Sequence, residues 1–177
     1  MISAKVILAF LLQTINISAD VPHENLPLDQ QEVFCLAQAV YYEAKSEDIQ
    51  GQYAVAYATL NRTVNPQYPS SVCGVVQQTS KSSTTNSRVC SFSWFCDKSV
   101  KHDDISFLNK NGSVDDKTAT QFETASKVAI NVLAAGPRSA HDITRGATHF
   151  FNPSVSDPSW RYRMTKTLSH GNHVFYR

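Results

Sequence analysis

The chain has 177 residues, 42% of them hydrophobic and 18% charged, and its 16 basic and 15 acidic side chains leave a formal charge of +1. That length suits one domain with a proper core rather than two. The near balance of charge, with no long run of lysine or arginine, excludes a field strong enough to draw in nucleic acid or an anionic membrane surface, and a neutral polymeric substrate fits it.

The opening residues differ from the rest of the chain. Lys5 precedes the apolar run Val6 to Leu12, and polar residues then lead to Ile17-Ser18-Ala19. This pattern predicts a secretory signal over residues 1–19, cleaved after Ala19, and the apolar run is well short of the ~20 residues that span a bilayer. The expected domain is then 20–177, periplasmic or extracellular, with no permanent membrane span. Pro22 and Pro27 mark an extended lead into it.

Asp29 is a candidate helix cap, and Val33, Leu36, Ala37, Val40, Tyr41 and Ala44 recur at helical spacing, which predicts an amphipathic helix to about Ala44. Glu43 shares the side of Leu36 and Val40, so a carboxylate sits at the edge of the buried face. After Gly51, Tyr53, Ala56, Tyr57 and Leu60 predict a second helix that stops near Asn61 and Pro66. One apolar turn falls within Ser70 to Gln77. Gln78 to Arg88, rich in Ser, Thr and Asn and without periodicity, reads as a surface loop. Ser113 followed by Asp116 resembles a capping box, and Phe122, Ala125, Ala129, Val132 and Leu133 carry a third main helix to Gly136-Pro137. Ala147 to Phe151, Met164 to Leu168 and Val174 to Tyr176 favour strands, the last two turning at Gly171-Asn172.

Cys35, Cys73, Cys90 and Cys96 make an even count in a chain with an export signal, which points to disulfides. Three pairings are possible; a bridge between the near neighbours Cys90 and Cys96 leaves Cys35 for Cys73. No interval between them has the paired spacing of a zinc site. Among the six histidines, His141, His149, His170 and His173 invite a metal reading, but the turn between His170 and His173 and the lack of a helical histidine pair with glutamate argue against it. The glycan-acceptor patterns at Asn16, Asn61 and Asn111 are too short to carry weight.

Glu43 is the sharpest chemical feature. Beside Tyr41, Tyr42 and an apolar helix face it loses hydration, which raises its pKa and keeps a proton available for a glycosidic oxygen. Periodicity alone favours the plainer alternative, a surface glutamate at a helix end. Glu47, one turn on, reads as a solvated helix-end charge or a cap for the following turn, with the orienting of a substrate hydroxyl as the alternative. Most glycosidases flank the scissile bond with two carboxylates. Asp97, Asp142 and Asp157 each stand beside turn formers and read as loop caps. One carboxylate suffices where the substrate supplies its own nucleophile, as the C6 hydroxyl of N-acetylmuramic acid can do with the effective molarity of a tethered group. Trp94, between Cys90 and Cys96, suits a sugar-stacking platform or a buried plug equally, and Trp160 is treated alike.

These residues fall in an ordered set of motifs: YYEA at 41–44, GQYAVAYATLNR at 51–62, YPSSVCGVV at 68–76, CSFSWFCD at 90–97, GATHFFNP at 146–153, Trp160, and HGNHVFYR at 170–177. In that order they resemble the SleB-like cell-wall hydrolases, the spore-cortex-lytic enzyme family, from about Cys35 to the last residue. The resemblance implies an α+β fold, lysozyme-like and mainly helical with a small antiparallel sheet. It also implies an enzyme cleaving peptidoglycan strands between N-acetylmuramic acid and N-acetylglucosamine, as a lytic transglycosylase or a muramidase; a monomer without cofactor or metal is expected. The family's catalytic glutamate falls on Glu43, and its cleft positions on Ser93, Trp94, Thr148, His149, Asn152 and His173. The sequence departs from the family at Ser91, at Asp142-Ile-Thr and at His170, and its Ser/Thr-rich stretch before Cys90 is longer. Two competing classes are a zinc amidase or peptidase and a non-catalytic wall-binding module.

Overall fold

The computed structural model describes residues 29–81, 86–100 and 115–177. The expected signal at 1–19, the lead through Pro22 and Pro27 and the Ser113 cap lie outside the described residues.

Helix α1 (Gln30–Ala44) starts where expected, with the Asp29 carboxylate accepting the Gln31 N–H. It is buried on more than one stripe: Val33 to Tyr41 are all buried, including Phe34, Cys35, Gln38 and Ala39. The reason is its central place, packed against α2 (Ile49–Arg62), α3 (Val72–Val76) and α4 (Asp116–Ala135). Phe34 and Tyr41 both meet the ring of Phe122 from α4 edge-on, at 6.1 and 5.8 Å.

The short α3 is held to α1 twice. The Glu32 carboxylate accepts the Val72 and Cys73 N–H groups, and Cys35 is bonded to Cys73. The second bridge joins Cys90 to Cys96, so the pairing set by proximity in the sequence is the observed one.

Residues 78–88, read as an irregular loop, instead contribute to a two-stranded hairpin. Strand β1 (Thr79–Lys81) pairs antiparallel with β2 (Arg88–Cys90), Thr79 opposite Cys90. All of β1 is exposed and β2 almost so. With neither face buried, no alternation of apolar residues marks the strands. A 3-10 turn at Ser93–Cys96 comes next. The cap of α4 is Asp115, which accepts the Thr118 N–H and hydroxyl, and Gly136 ends the helix at φ +75°.

The second sheet has the order β3-β5-β4, all antiparallel, with β3 (His149–Phe151), β4 (Lys166–His170) and β5 (His173–Tyr176). The last strand in sequence therefore lies in the middle. Small residues on α2 let this sheet approach closely: Ala54, Val55 and Ala58 form a second core with Ala44, Ala147 and Phe175. The class expected from the sequence, mainly helical α+β with a small antiparallel sheet, is the class observed. Among the described residues no helix is long and apolar enough to cross a membrane.

Candidate active site

Glu43 stands in the last turn of α1, between buried Tyr41 and Ala44. Burial pushes its carboxyl pKa above the ordinary value, opposed in part by the positive charge of Arg62 and a hydrogen bond from the Trp94 side chain. A place at the negative end of the helix adds to the upward push. Burial thus favours the protonated carboxyl, while Arg62 and Trp94 favour the charged form.

Those partners are fixed by packing. Trp94 is 8% exposed and lies on the face of Tyr42, with ring centroids 4.6 Å apart and planes 24° apart. Of the two roles weighed for Trp94, this burial fits the packed one. Arg62 sits at the end of α2, 7% exposed, with Nε donating to the Thr148 carbonyl at 2.7 Å. Its guanidinium lies over Phe92, Tyr68 and Phe150 at 5.2, 5.5 and 5.9 Å, while Nη1 has no hydrogen-bond acceptor. Burial lowers the Arg62 pKa and the charges of Tyr68 and Glu43 raise it.

Sequence reasoning missed Arg62, taking this stretch only as a helix stop. Its signal was available: Val55, Ala58 and Arg62 recur at helical spacing on a buried face, and an arginine there needs a partner.

Thr148 and His149 continue from Arg62. The Thr148 hydroxyl lies 2.9 Å from His149 Nδ1, and the Tyr68 hydroxyl lies 3.2 Å from Nε2. Trp160 covers the same imidazole at 4.9 Å. Burial, then the charge of Arg62, lowers the His149 pKa and favours the neutral ring. His173 is buried and meets Phe150 edge-on at 5.5 Å; burial lowers its pKa although Glu47 pulls it up. Glu43, Trp94, Arg62, Thr148 and His149 are therefore linked in one cluster, with His173 joined through Phe150. Ser93 is exposed at the start of the 3-10 turn, and Asn152 accepts the Ser154 N–H within its own loop.

Glu47 is neither solvated nor a cap for the next turn of the chain. Its side chain is 5% exposed and accepts the Asn172 N–H and side-chain amide, with His173 Nδ1 at 3.9 Å. Gly171, at φ +54°, lies so close to this carboxylate that a methyl group would collide with it. Asp97 and Asp142 cap turns as expected, whereas Asp157 makes an ion pair instead. Asp97 caps Ser99, and Asp157 pairs with Arg161. Asp142 is buried and takes hydrogen bonds from Thr144, Asn61 and Gly146. Among the described residues no three His, Cys, Asp or Glu side chains gather as a metal site; His170 bonds Asp48 at 2.8 Å.

A family model described as cell wall hydrolase matches residues 46–176. The chain belongs to the cell wall hydrolase family. Glu43 lies just ahead of the matched stretch. The spore cortex-lytic enzyme of Halalkalibacterium halodurans is 28% identical over 140 residues, covering 79% of this chain and 33% of that protein. That of Bacillus subtilis is 26% identical over 153 residues, 85% of this chain and 40% of the relative. The chain thus spans well under half the length of these relatives. Among solved structures, the catalytic domain of the germination-specific lytic transglycosylase SleB from Bacillus anthracis has a TM-score of 0.53 at 22% identity, covering 88% of this chain and 100% of that one. The Bacillus cereus SleB catalytic domain gives 0.52 at the same identity, covering 88% and 98%. At that identity the likeness is one of fold.

Proposed function

We propose that this cell wall hydrolase is an exported, monomeric lytic transglycosylase that cleaves peptidoglycan strands between N-acetylmuramic acid and N-acetylglucosamine, with Glu43 as sole acid and base. The observation that carries the reading is a half-buried carboxyl whose pKa is raised by burial and whose anion is met by Arg62 and Trp94. The Glu43 carboxyl gives its proton to the glycosidic oxygen as the bond from the muramic C1 to that oxygen breaks. The carboxylate then takes the proton of the C6 hydroxyl while that oxygen closes on C1, leaving a 1,6-anhydro end and consuming no water.

Among the described residues, the places of the other acidic candidates support a one-carboxylate route. Glu47, Asp97, Asp142 and Asp157 each hold part of the framework. Thr148, His149 and His173 are proposed to line the glycan cleft, with Ser93 and Asn152 at its margins and Trp94 supporting Glu43. Two disulfides and the signal at 1–19 support export.

Mass spectrometry of purified-wall digests tests the reaction. Anhydro ends support it; products one water heavier, with reducing ends throughout, convert the reading to a muramidase. Glu43→Gln keeps the shape and loses the proton, so lysis should fall by about 10²–10⁴-fold. Lysis at the wild-type rate would overturn the assignment of Glu43.

A further inference from the structure

On the side of α2 away from Arg62, a depression of about 510 Å³ opens between α2, α4 and the loop that follows Gly136. Tyr53, which lines it, precedes Arg62 by about two and a half helical turns, so the two side chains leave opposite sides of α2. The depression is therefore separate from the cluster around Glu43. Its volume falls within the range of small-molecule sites.

Tyr57, one turn on from Tyr53, is 2% exposed and also lines the depression. Its hydroxyl makes no hydrogen bond among the described residues and is not closed off from solvent. A buried tyrosine ordinarily finds a partner for that group, and here the way to one is the depression. The Asn131 amide donates from Nδ2 to the Tyr53 hydroxyl at 2.8 Å, at the surface. That bond uses the tyrosine oxygen as acceptor, which leaves its O–H to donate and Asn131 Oδ1 to accept. Exposed Gln50 and His141 add further polar groups to the lining. The part-exposed ring of Tyr53 and the side chain of Ile143 offer apolar surface beside them. No Asp, Glu, Lys or Arg lines the depression, so a charged ligand would find no counter-charge there. Ring surface flanked by hydroxyl and amide groups, without charge, matches the apolar face, hydroxyls and acetamido group of a neutral sugar.

We infer that this depression is a second glycan-binding site, taking a neutral N-acetylhexosamine unit with Tyr57, Tyr53 and Asn131 as its hydrogen-bonding groups. Resting on the wall-glycan reading, the unit is an N-acetylglucosamine of the peptidoglycan strand. Set on the other side of α2 from the Glu43 cluster, the site holds the enzyme on the wall and takes no part in the bond being cut.

Binding is tested by nuclear magnetic resonance titration of the full chain with tri-N-acetylchitotriose, and with N-acetyl-alanine amide as a neutral peptide. The sugar should shift the Asn131 and Gln50 side-chain amide signals saturably, and the peptide should not. Tyr57→Phe removes a hydroxyl that has no partner in the free protein, so the variant should melt no lower than the wild type. It should nonetheless bind the sugar about tenfold more weakly at those signals, with the Trp94 indole signal responding as in the wild type. The same variant should sediment less with purified walls while keeping its kcat on short soluble strands. Absence of saturable shifts, equal binding by Tyr57→Phe and the wild type, equal binding of the peptide, or a clearly lower melting temperature of Tyr57→Phe overturns the site. Sugar binding here by a protein that cleaves no strand would overturn the glycosidase reading and leave this site standing; cleavage without these shifts would do the reverse.

Discussion

Replacing Glu43 by glutamine separates the chemistry of the residue from its effect on the fold. Burial raises the carboxyl pKa above the ordinary 4.5, so the folded chain binds that proton more tightly than the unfolded chain. Stability is therefore highest below the ordinary value and declines as pH rises through the raised one. Glutamine has no charged form, so Glu43→Gln should melt at a higher temperature than the wild type at neutral pH, and the difference should vanish below about pH 4. Thermal melts at the two pH values check this. Activity should follow the protonated acid, with its alkaline limb above the ordinary carboxylate range. Trp94 and Arg62 temper the shift, as the proposed double role of Glu43 as acid and base requires. Arg62 also shows what sequence reading overlooked: its charge is hidden among Phe92, Tyr68 and Phe150, and nothing in its immediate neighbours in the chain announces those rings.

At the level of elements, the two disulfides close loops of very different length, with sequence separations of 38 and 6. Loop entropy assigns the Cys35–Cys73 bridge about 4 kcal/mol and the Cys90–Cys96 bridge about 2 kcal/mol. Urea melts of the two paired serine variants should rank in that order. Loss of the shorter bridge should also cut lysis, because it frees the turn that presents Trp94 to Glu43. The main helices were legible in the sequence, since apolar residues such as Val33, Leu36 and Val40 keep helical spacing in a core that needs them. The β3-β5-β4 strands were legible through β-branched and aromatic residues and the turn at Gly171-Asn172. The β1-β2 hairpin was not, because exposed strands carry no apolar alternation. Nor was the place of Glu47: its partner is Asn172, 125 residues along the chain, and local pattern contains no information about so distant a contact.

For the molecule as a whole, the half-buried His149 and the buried His173 weaken the fold in acid. Burial lowers the pKa of His149 and His173 below 6.5, so the unfolded chain binds protons the folded one resists. Their contribution is complete above about pH 6.5 and is lost as pH falls through that value towards the lowered folded pKa values. The melting temperature should fall between pH 7 and about pH 5, and replacing both by glutamine should flatten that fall; Glu43 works in the opposite sense over its own range. The order β3-β5-β4 has a further consequence, in time rather than in space. Synthesis proceeds from the N-terminus, so β3 and β4 are made with no strand between them and the sheet waits for residues 173–176. His173 and the backbone pairing of β3 arrive only then, and a chain ended after Asn172 should show no cooperative melting transition. A nascent chain therefore carries Glu43 before the strand that completes the frame around it, so the wall-cutting cleft is assembled only once residues 173–176 have been made.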